Sequence, residues 1–226
     1  MSARESPISP HPTHERITTR DAILAAAIEL FAERGYHATS MREIAAAVPL
    51  RAAGIYYWFE NKHAILLHLE HSFLDELSAS VRAEVYRHAD PAHRLAAAVR
   101  EHVHFHGLNP RAAFVTDSEL RALSPEARLE VQAKRDAYQT MFLQIVRDGV
   151  REGVFTTSDA KIATYAILLA STSVDAWFDP AGSRSIDQVA TIHVELVLGS
   201  LFVARPTIEA ALDAVARPVE PRTGLT

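Results

Sequence analysis

The stretch that decides the fold begins with TTRDAILAAAIELFAERGYHATSMREIAAA at residues 18–47 and closes with GIYYWFENK at residues 54–62. In its first part, apolar side chains recur every three or four residues, which predicts an amphipathic helix. The run SMRE, from Ser40, matches the capping box that begins a second helix. Because Pro49 disfavours continuation of that helix, we expect a tight break and then a short third helix, which is the helix-turn-helix pattern.

The bulk composition predicts a soluble cytoplasmic protein with one large domain, or one large and one small. The 226 residues include no cysteine, so a disulfide framework, a thiolate metal site and a cysteine nucleophile are excluded. The first residues lack the apolar core of a secretory signal, and no apolar run approaches the ~20 residues of a membrane span. We therefore expect no membrane partner, and nothing in the sequence indicates a cofactor.

Net charge alone does not suggest a nucleic-acid partner. The chain carries a formal charge of −5, and residues 1–62 balance seven Lys and Arg against seven Asp and Glu. A nucleic acid would have to be bound by a few placed cations and helix N-termini rather than by a polybasic arm.

The chain beyond residue 60 shows helical periodicity almost throughout, which indicates the all-α fold class. Helices are predicted from Asn61 to about His88, from Pro91 to about Gly107, at 113–123, from Pro125 to about Gly153, at 157–178 and at 183–204.

The continuous segment from Thr18 to Leu66 resembles the DNA-binding domain of TetR-family transcriptional repressors. The resemblance is carried by a first helix that ends in Gly-aromatic, by TSxREIA at residues 39–45 and by YxxFxxK at residues 56–62. It implies an N-terminal three-helix domain and a larger C-terminal helical domain for ligand binding and dimerisation. The expected layout is a disordered tail at 1–16, the DNA-binding domain at 17–62 with its motif at 40–59, the regulatory domain at 63–205 and a C-terminal tail at 206–226.

The resemblance divides the aromatic run of the recognition helix between two faces. Ile55 and Phe59 would pack in the core, and Tyr56 would donate a hydrogen bond from its hydroxyl to a phosphate. Tyr57 and Trp58 would face the groove, where their rings can contact thymine methyl groups or sugars. The alternative is that all the rings are core, as aromatic clusters at helical spacing usually are.

Four further polar side chains are candidate DNA contacts. Thr39 and Ser40 stand at the start of the second helix and Lys62 begins the fourth, so each can meet a phosphate together with a helix N-terminus. Arg42 is the nearest guanidinium, and a solvated surface charge is an equally good interpretation of it.

The turn of the motif departs from the family pattern. Pro49 stands where the family usually has Gly, and Arg51 replaces a Ser or Thr cap, at a cost of about 1 kcal/mol of local helix stability. Ala52 and Ala53 replace a frequent Lys-Gly, and Gly54 replaces a frequent Thr. We count Arg51, Ala52 and Gly54 with the DNA-binding surface, because Arg51 is a new candidate contact and Gly54 allows closer approach. These changes leave open a TetR-like sensor or interaction protein with weak or lost DNA binding.

Residues 114–180 resemble the TetR subgroup that senses acyl-CoA thioesters from lipid or steroid breakdown. The resemblance implies repression that is relieved when a small hydrophobic effector, an acyl-CoA, enters the domain. A pocket between helices is lined by one apolar face of each, and plain core packing is the alternative for every candidate. The candidates are Phe73, Val99, His102, Phe105, His106, Phe114, Tyr138, Met141, Phe142, Tyr165 and Trp177.

Two sets of polar residues in this half have alternative interpretations. Arg121, Arg128 and Arg135 recur at seven-residue spacing and are either contacts for CoA phosphates or a solvated face. His102 and His106, four residues apart on a helix, have a spacing that can bind a metal. Since no clear carboxylate ligand accompanies them, we favour pocket liners or hydrogen-bonded core histidines, and no metal.

The last two helices carry small and apolar residues on more than one face, so they must be buried on more than one side. Pairing with a second copy, as in the usual family dimer, buries both sides, and a homodimer predicts a palindromic operator. The candidate interface residues are Leu169, Ser173, Val189, His193, Val197 and Leu201.

Together these patterns favour a ligand-responsive transcriptional regulator, most simply a repressor, whose partners are double-stranded DNA and a small-molecule effector. The sequence has no Gly-rich phosphate loop, no nucleophile elbow and no motif that pairs a Ser with a base, so we do not expect an enzyme.

Overall fold

The structure, a computed structural model, describes residues 19–49 and 54–216. Within these ranges the chain forms helices and no strand, which confirms the all-α fold class. None of the helices described is long and apolar enough to cross a membrane. The α-helices are α1 (Thr19–Arg34), α2 (Met41–Ala46), α3 (Ile55–Trp58), α4 (Lys62–Val85), α5 (Pro91–Leu108), α6 (Pro110–Ser118), α7 (Pro125–Arg151), α8 (Ala160–Thr172), α9 (Val174–Trp177), α10 (Ile186–Ser200) and α11 (Arg205–Val215), and a 3-10 helix spans Leu120–Ala122.

The first three helices and the start of α4 pack around a small core. Gly35 ends α1 with a φ of 80°, a left-handed conformation that glycine adopts without strain. Ser40 and Glu43 make both hydrogen bonds of the predicted capping box at the start of α2. The Phe59 ring, which follows α3, is buried and lies next to the Arg20 guanidinium of α1 and the His68 ring of α4. The predicted order of one longer and two short helices is confirmed.

Helix α4 belongs to both halves of the molecule. Its N-cap is Asn61, whose side chain accepts a hydrogen bond from the Ala64 amide at 2.9 Å, and the helix then continues without a break to Val85. The expected boundary between the two domains, at residue 62, therefore coincides with the first residue of this helix. Any tilt of α4 moves both halves.

Helix α5 is the centre of the larger half. It packs against α4, α7, α8, α10 and α11. Asp90 caps it and Pro91 is its first residue, as the sequence predicts. Residues 95–99, LAAAV, are all buried, because the small alanine side chains let neighbouring helices approach on several sides.

Helix α11 corrects the predicted C-terminal tail. Residues 206–216 do not form a tail: Ile208, Ala211 and Val215 lie on one face of α11 and are buried, and the helix packs against α5 and α10. The spacing of these three residues is the helical period, which accounts for the burial of one face. The predicted tails at 1–16 and 217–226 lie outside the described residues.

Candidate nucleic-acid interface and regulatory site

Helix α3 carries exposed aromatic rings on a buried anchor. Ile55 is fully buried and Phe59 is 5% exposed, whereas Tyr57 is 83% and Trp58 is 40% exposed. The rings of Tyr57 and Trp58 meet edge to face, with 5.2 Å between centroids, and Tyr56 is exposed beside them. The predicted division into a core side and an outer side is confirmed. We call Tyr56, Tyr57 and Trp58 the aromatic ridge.

The N-terminus of α2 is exposed and already capped. The Ser40 hydroxyl accepts from the Glu43 amide at 3.3 Å and donates to the Glu43 carboxylate at 2.7 Å. The hydroxyl and the amide of Ser40, which both donate to the Glu43 carboxylate, lower the pKa of Glu43 together with the Arg34 guanidinium at 3.4 Å. Arg42 is exposed next to this cap. A phosphate at this end of α2 would meet Arg42 directly, whereas the Ser40 hydroxyl would have to exchange a partner.

Thr39 is turned inward, which corrects its predicted role, whereas the phosphate contact of the half-buried Lys62 stays a prediction. Thr39 is 2% exposed, and its hydroxyl hydrogen-bonds to the carbonyls of Leu30 and Gly35, at 3.3 and 3.0 Å. The Lys62 ammonium donates to the carbonyls of Tyr36 and Thr39, both at 2.5 Å, and lies 4.2 Å from the centroid of the Tyr36 ring. These groups close the turn between α1 and α2, because its carbonyls need donors that no helix supplies.

The start of α3 is only partly described. Gly54 is the N-cap residue of α3 and has no side chain with which to cap it. Arg51 and Ala52 lie outside the described residues, so their place in the DNA-binding surface stays a prediction.

Six of the predicted pocket residues come together in the core of the larger half. Phe73 of α4 meets Phe105 of α5 with 5.2 Å between ring centroids. His102 stacks on His106 at 4.2 Å and lies 5.8 Å from the Tyr138 ring of α7. The cluster therefore joins α4, α5 and α7. Phe73 also lies 5.6 Å from the His106 ring, and Phe142 lies 5.4 Å from the Tyr138 ring. The six members of the cluster are Phe73, His102, Phe105, His106, Tyr138 and Phe142.

The histidines of this cluster are neutral, hydrogen-bonded core groups. His102 Nδ1 lies 2.7 Å from the Tyr138 hydroxyl, and Nε2 lies 3.0 Å from Oγ1 of Thr172. His106 Nδ1 donates to the His102 carbonyl at 3.0 Å. Burial lowers the pKa of both histidines and raises the pKa of Tyr138. Because both ring nitrogens of His102 have partners, the pair does not have the geometry of a metal site.

Glu70 of α4 is the polar residue that the sequence pattern did not single out. It is fully buried, and burial raises its pKa to about 7 although Arg135 acts in the opposite direction. Among the residues that the structure describes, neither carboxylate oxygen has a hydrogen-bond partner. The closest cation is Arg135 of α7, with Nη2 at 3.6 Å from Oε2.

Arg135 has further partners on α6 besides Glu70. It also donates to the Thr116 carbonyl at 2.9 Å and to Asp117 of α6 at 3.1 Å. Together, Glu70, Arg135 and Asp117 connect α4, α6 and α7.

Three of the predicted pocket residues lie elsewhere. Phe114, Tyr165 and Trp177 are all exposed, which corrects their assignment to an interior pocket of the single subunit. Trp177 instead stacks on His193 of α10, with 6.1 Å between ring centroids. Val99 is buried in the core. Met141 is half-buried and packs against the core.

Helices α8 and α10 each carry exposed apolar side chains. Leu169 of α8 is 75% exposed and Leu196 of α10 is 65% exposed, and Ile162, Tyr165 and Phe202 are exposed as well. Apolar side chains of this size at several positions are typical of a surface that a partner covers. Ser173, at the end of α8, is also exposed.

Part of the predicted dimer interface is instead core. Val189, Val197 and Leu201 are buried inside the subunit, because α10 packs one face closely on α5. His193 is half-buried. Leu196, on the same helix, is 65% exposed.

Two family models match the chain. The one for bacterial regulatory proteins of the tetR family matches residues 23–69. The one for the tetracyclin repressor-like C-terminal domain matches residues 88–201. The two matches cover the helix-turn-helix unit and most of the larger half.

Individual proteins show the same similarity along most of their length. The HTH-type transcriptional repressor KstR2 of Rhodococcus jostii is 26% identical over 184 residues, 80% of this chain and 90% of KstR2. A solved tetR-family regulatory protein from Rhodococcus RHA1 is 30% identical, with a TM-score of 0.78 over 83% of this chain and 99% of that one. AibR, solved in complex with isovaleryl coenzyme A and operator DNA, is 27% identical, with a TM-score of 0.70 over 81% of this chain and 98% of AibR. The chain belongs to the TetR family of bacterial regulatory proteins.

Proposed function

We propose that this chain is a cytoplasmic, ligand-responsive transcriptional repressor. As a homodimer it binds a palindromic operator, and it releases the operator when an acyl-CoA thioester binds the larger half. The observation that carries the DNA-binding part is the aromatic ridge. Its rings are exposed, and the buried Ile55 and Phe59 on either side anchor the short helix. Rings on a short helix of this kind can contact thymine methyl groups and sugars in the major groove.

The effector class is supported by the interior of the larger half and by one relative. The larger half contains a buried cluster of aromatic and histidine side chains with a few hydrogen-bonding groups, which is the kind of residue set that forms small-molecule sites. AibR was solved with isovaleryl coenzyme A and operator DNA together. An acyl-CoA is therefore the first effector to test.

The exposed apolar side chains of α8 and α10 support the dimer. A second copy that covers Leu169 and Leu196 would remove both from water, and a two-fold interface pairs each helix with its copy. Helix α4 then links the effector site to α3, which carries the aromatic ridge. An effector can release DNA only if it binds the dimer with separated reading helices more tightly than the DNA-bound dimer.

The DNA-binding part is tested with genomic fragments that the wild-type protein retains from sheared DNA. Tyr57→Ala and Trp58→Ala are each expected to lower the affinity for these fragments by about tenfold, since a good base contact contributes about 1–3 kcal/mol. Tyr86→Ala is the matched control, because Tyr86 is as exposed as Tyr57 but lies at the far end of α4. If Tyr57→Ala binds no more weakly than Tyr86→Ala, the ridge is not the reading surface.

The effector part is tested on the same fragments. Isovaleryl-CoA and longer acyl-CoA thioesters are expected to lower the apparent affinity, whereas free CoA is expected to have little effect. Unchanged affinity across the acyl series would exclude this effector class. Failure to retain any fragment would favour a sensor without DNA binding.

A further inference from the structure

The turn between α1 and α2 is held by two charged side chains that come from outside it. The Lys62 ammonium of α4 donates hydrogen bonds to the carbonyls of Tyr36 and Thr39. The Tyr36 amide donates to Oε1 of Glu119 at 3.0 Å. Glu119 follows α6 and precedes the 3-10 helix, so the larger half supplies the acceptor for a backbone donor of the small half.

Glu119 is half-buried at this junction. Its Oε1 would lie 3.5 Å from a Cβ atom placed on Gly35. Its charge adds to the effect of burial in raising the pKa of Tyr36, and it opposes the lowering of the Lys62 pKa by burial. A carboxylate that accepts from a backbone amide in a partly buried place makes one of the stronger kinds of hydrogen bond.

The position of the turn sets the position of α2. Thr39 is the last residue of the turn, and Ser40 is the N-cap residue of α2. Because Thr39 is buried and bonded to Leu30 and Gly35, the turn behaves as a rigid unit. A displacement of the Tyr36 amide therefore reaches the exposed N-terminus of α2.

The same interface contains a contact of a different kind. Arg111 of α6 pairs with Glu29 of α1 and lies 3.9 Å from Glu33, and all three side chains are about half exposed. Exposed ion pairs of this sort contribute little and do not fix geometry. Arg111 is therefore a matched comparison for Glu119, because it joins the same halves without touching the turn.

We propose that Glu119 is the positioning residue that couples the larger half to the DNA-reading half. Its carboxylate holds the turn in place, and movement of the end of α6 withdraws it and releases the N-terminus of α2. Only the last step, the effect on DNA, rests on the proposed function. The hydrogen bond itself can be tested without DNA.

The first measurement is amide hydrogen exchange at Tyr36 in the full-length protein. Glu119→Ala is expected to speed exchange of this amide by at least about tenfold, the factor that corresponds to loss of a charged hydrogen bond. Glu119→Gln keeps an acceptor oxygen at the same reach and is expected to stay within about threefold of wild type, while Arg111→Ala should not change it. Equal protection in Glu119→Ala and wild type would overturn the proposal, and so would an equal loss in Arg111→Ala.

A second variant distinguishes the effect of side-chain length from the effect of charge, and exchange in α5 shows whether the whole structure is destabilised. Glu119→Asp keeps the charge but is shorter by one methylene, so it should resemble Glu119→Ala at Tyr36. Exchange elsewhere in the core of α5 should stay at the wild-type rate in both. If exchange rises uniformly along the chain instead, Glu119 acts on global stability and the positioning role is wrong.

The final arm measures affinity for the retained genomic fragments. Glu119→Ala is expected to weaken binding by about tenfold, Glu119→Gln to restore it, and Arg111→Ala to leave it nearly unchanged. Faster exchange at Tyr36 with unaltered DNA affinity would refute the coupling but would still support the hydrogen bond between Tyr36 and Glu119. Absence of binding by the wild type would instead count against the proposed function, and the exchange result would still stand.

Discussion

Replacing Glu70 with Gln should change how the stability of the protein depends on pH. Glu70 is fully buried on α4, and burial raises its pKa to about 7, compared with 4.5 for an ordinary glutamate. Glutamine has the shape of the protonated acid but cannot ionise. The two proteins should therefore resemble each other at low pH and diverge as Glu70 ionises.

The direction and size of this change in the free energy of unfolding follow from proton linkage. Because the folded pKa lies above the unfolded one, the folded state binds the proton more tightly, so this contribution to stability is full below pH 4.5 and is lost as the pH rises through 7. At about 1.4 kcal/mol per pH unit of difference, the full loss is about 3 kcal/mol, and most of it falls between pH 5 and pH 8. Wild type should thus lose about 2–3 kcal/mol relative to Glu70→Gln over that range.

The assay is urea unfolding of both proteins at pH 5, 6, 7 and 8, at one fixed protein concentration since a dimer's stability depends on it. Asp75→Asn is the control, because Asp75 lies on the same helix but is exposed, in a surface pair with Lys134. The free energy of unfolding of Asp75→Asn should change with pH in parallel with that of wild type. If the profile of Glu70→Gln is also parallel to wild type, Glu70 is ionised throughout and the account of its burial is wrong.

Three further substitutions test the dimer face, the hydrogen-bonded cluster and the packing of α7. Leu169→Arg places a charge on the exposed face of α8 and should give monomers in sedimentation while the isolated subunit keeps its helical circular dichroism. Tyr138→Phe removes the hydroxyl that lies 2.7 Å from His102 and should lower the free energy of unfolding by about 1–3 kcal/mol. Gly149→Ala would bring a Cβ atom to 2.1 Å from the Phe155 ring, so calorimetry should show destabilisation of about 1–3 kcal/mol.

Local sequence rules were sufficient for the helices up to α10, but not for α11, and for the outward face of α3. The capping residues Ser40 and Asp90 were recognisable because a cap involves partners only a few residues away. The division of the aromatic run into Ile55 and Phe59 inside and Tyr57 outside was also predictable, since a four-residue helix anchored at both ends has little freedom to rotate.

Distant partners explain most of what the sequence did not show. Lys62 was predicted only as a phosphate contact at a helix start, and its hydrogen bonds to carbonyls of the turn 23 to 26 residues earlier had no local signal. Val197 looked like an interface residue because α10 is apolar on two sides, and periodicity cannot tell which side meets α5. Only the tertiary structure assigns each side.

Glu70 shows that a weak signal was present. It lies four residues after Leu66 and three before Phe73, both buried on the same face of α4. A carboxylate on an apolar face at that spacing predicts a buried acid. Its partner Arg135, 65 residues later, has no local signature that would have revealed the pair.

The measurement that tests the central claim most directly is footprinting of a genomic fragment retained by the wild-type protein. Two copies of the aromatic ridge on a two-fold dimer should protect two inverted half-sites whose centres lie about 10 base pairs, or a multiple of that, apart. Protection should weaken steeply with added salt, and the Tyr57→Ala protein should lose it. A single asymmetric protected site, or a footprint that survives Tyr57→Ala unchanged, would contradict the account.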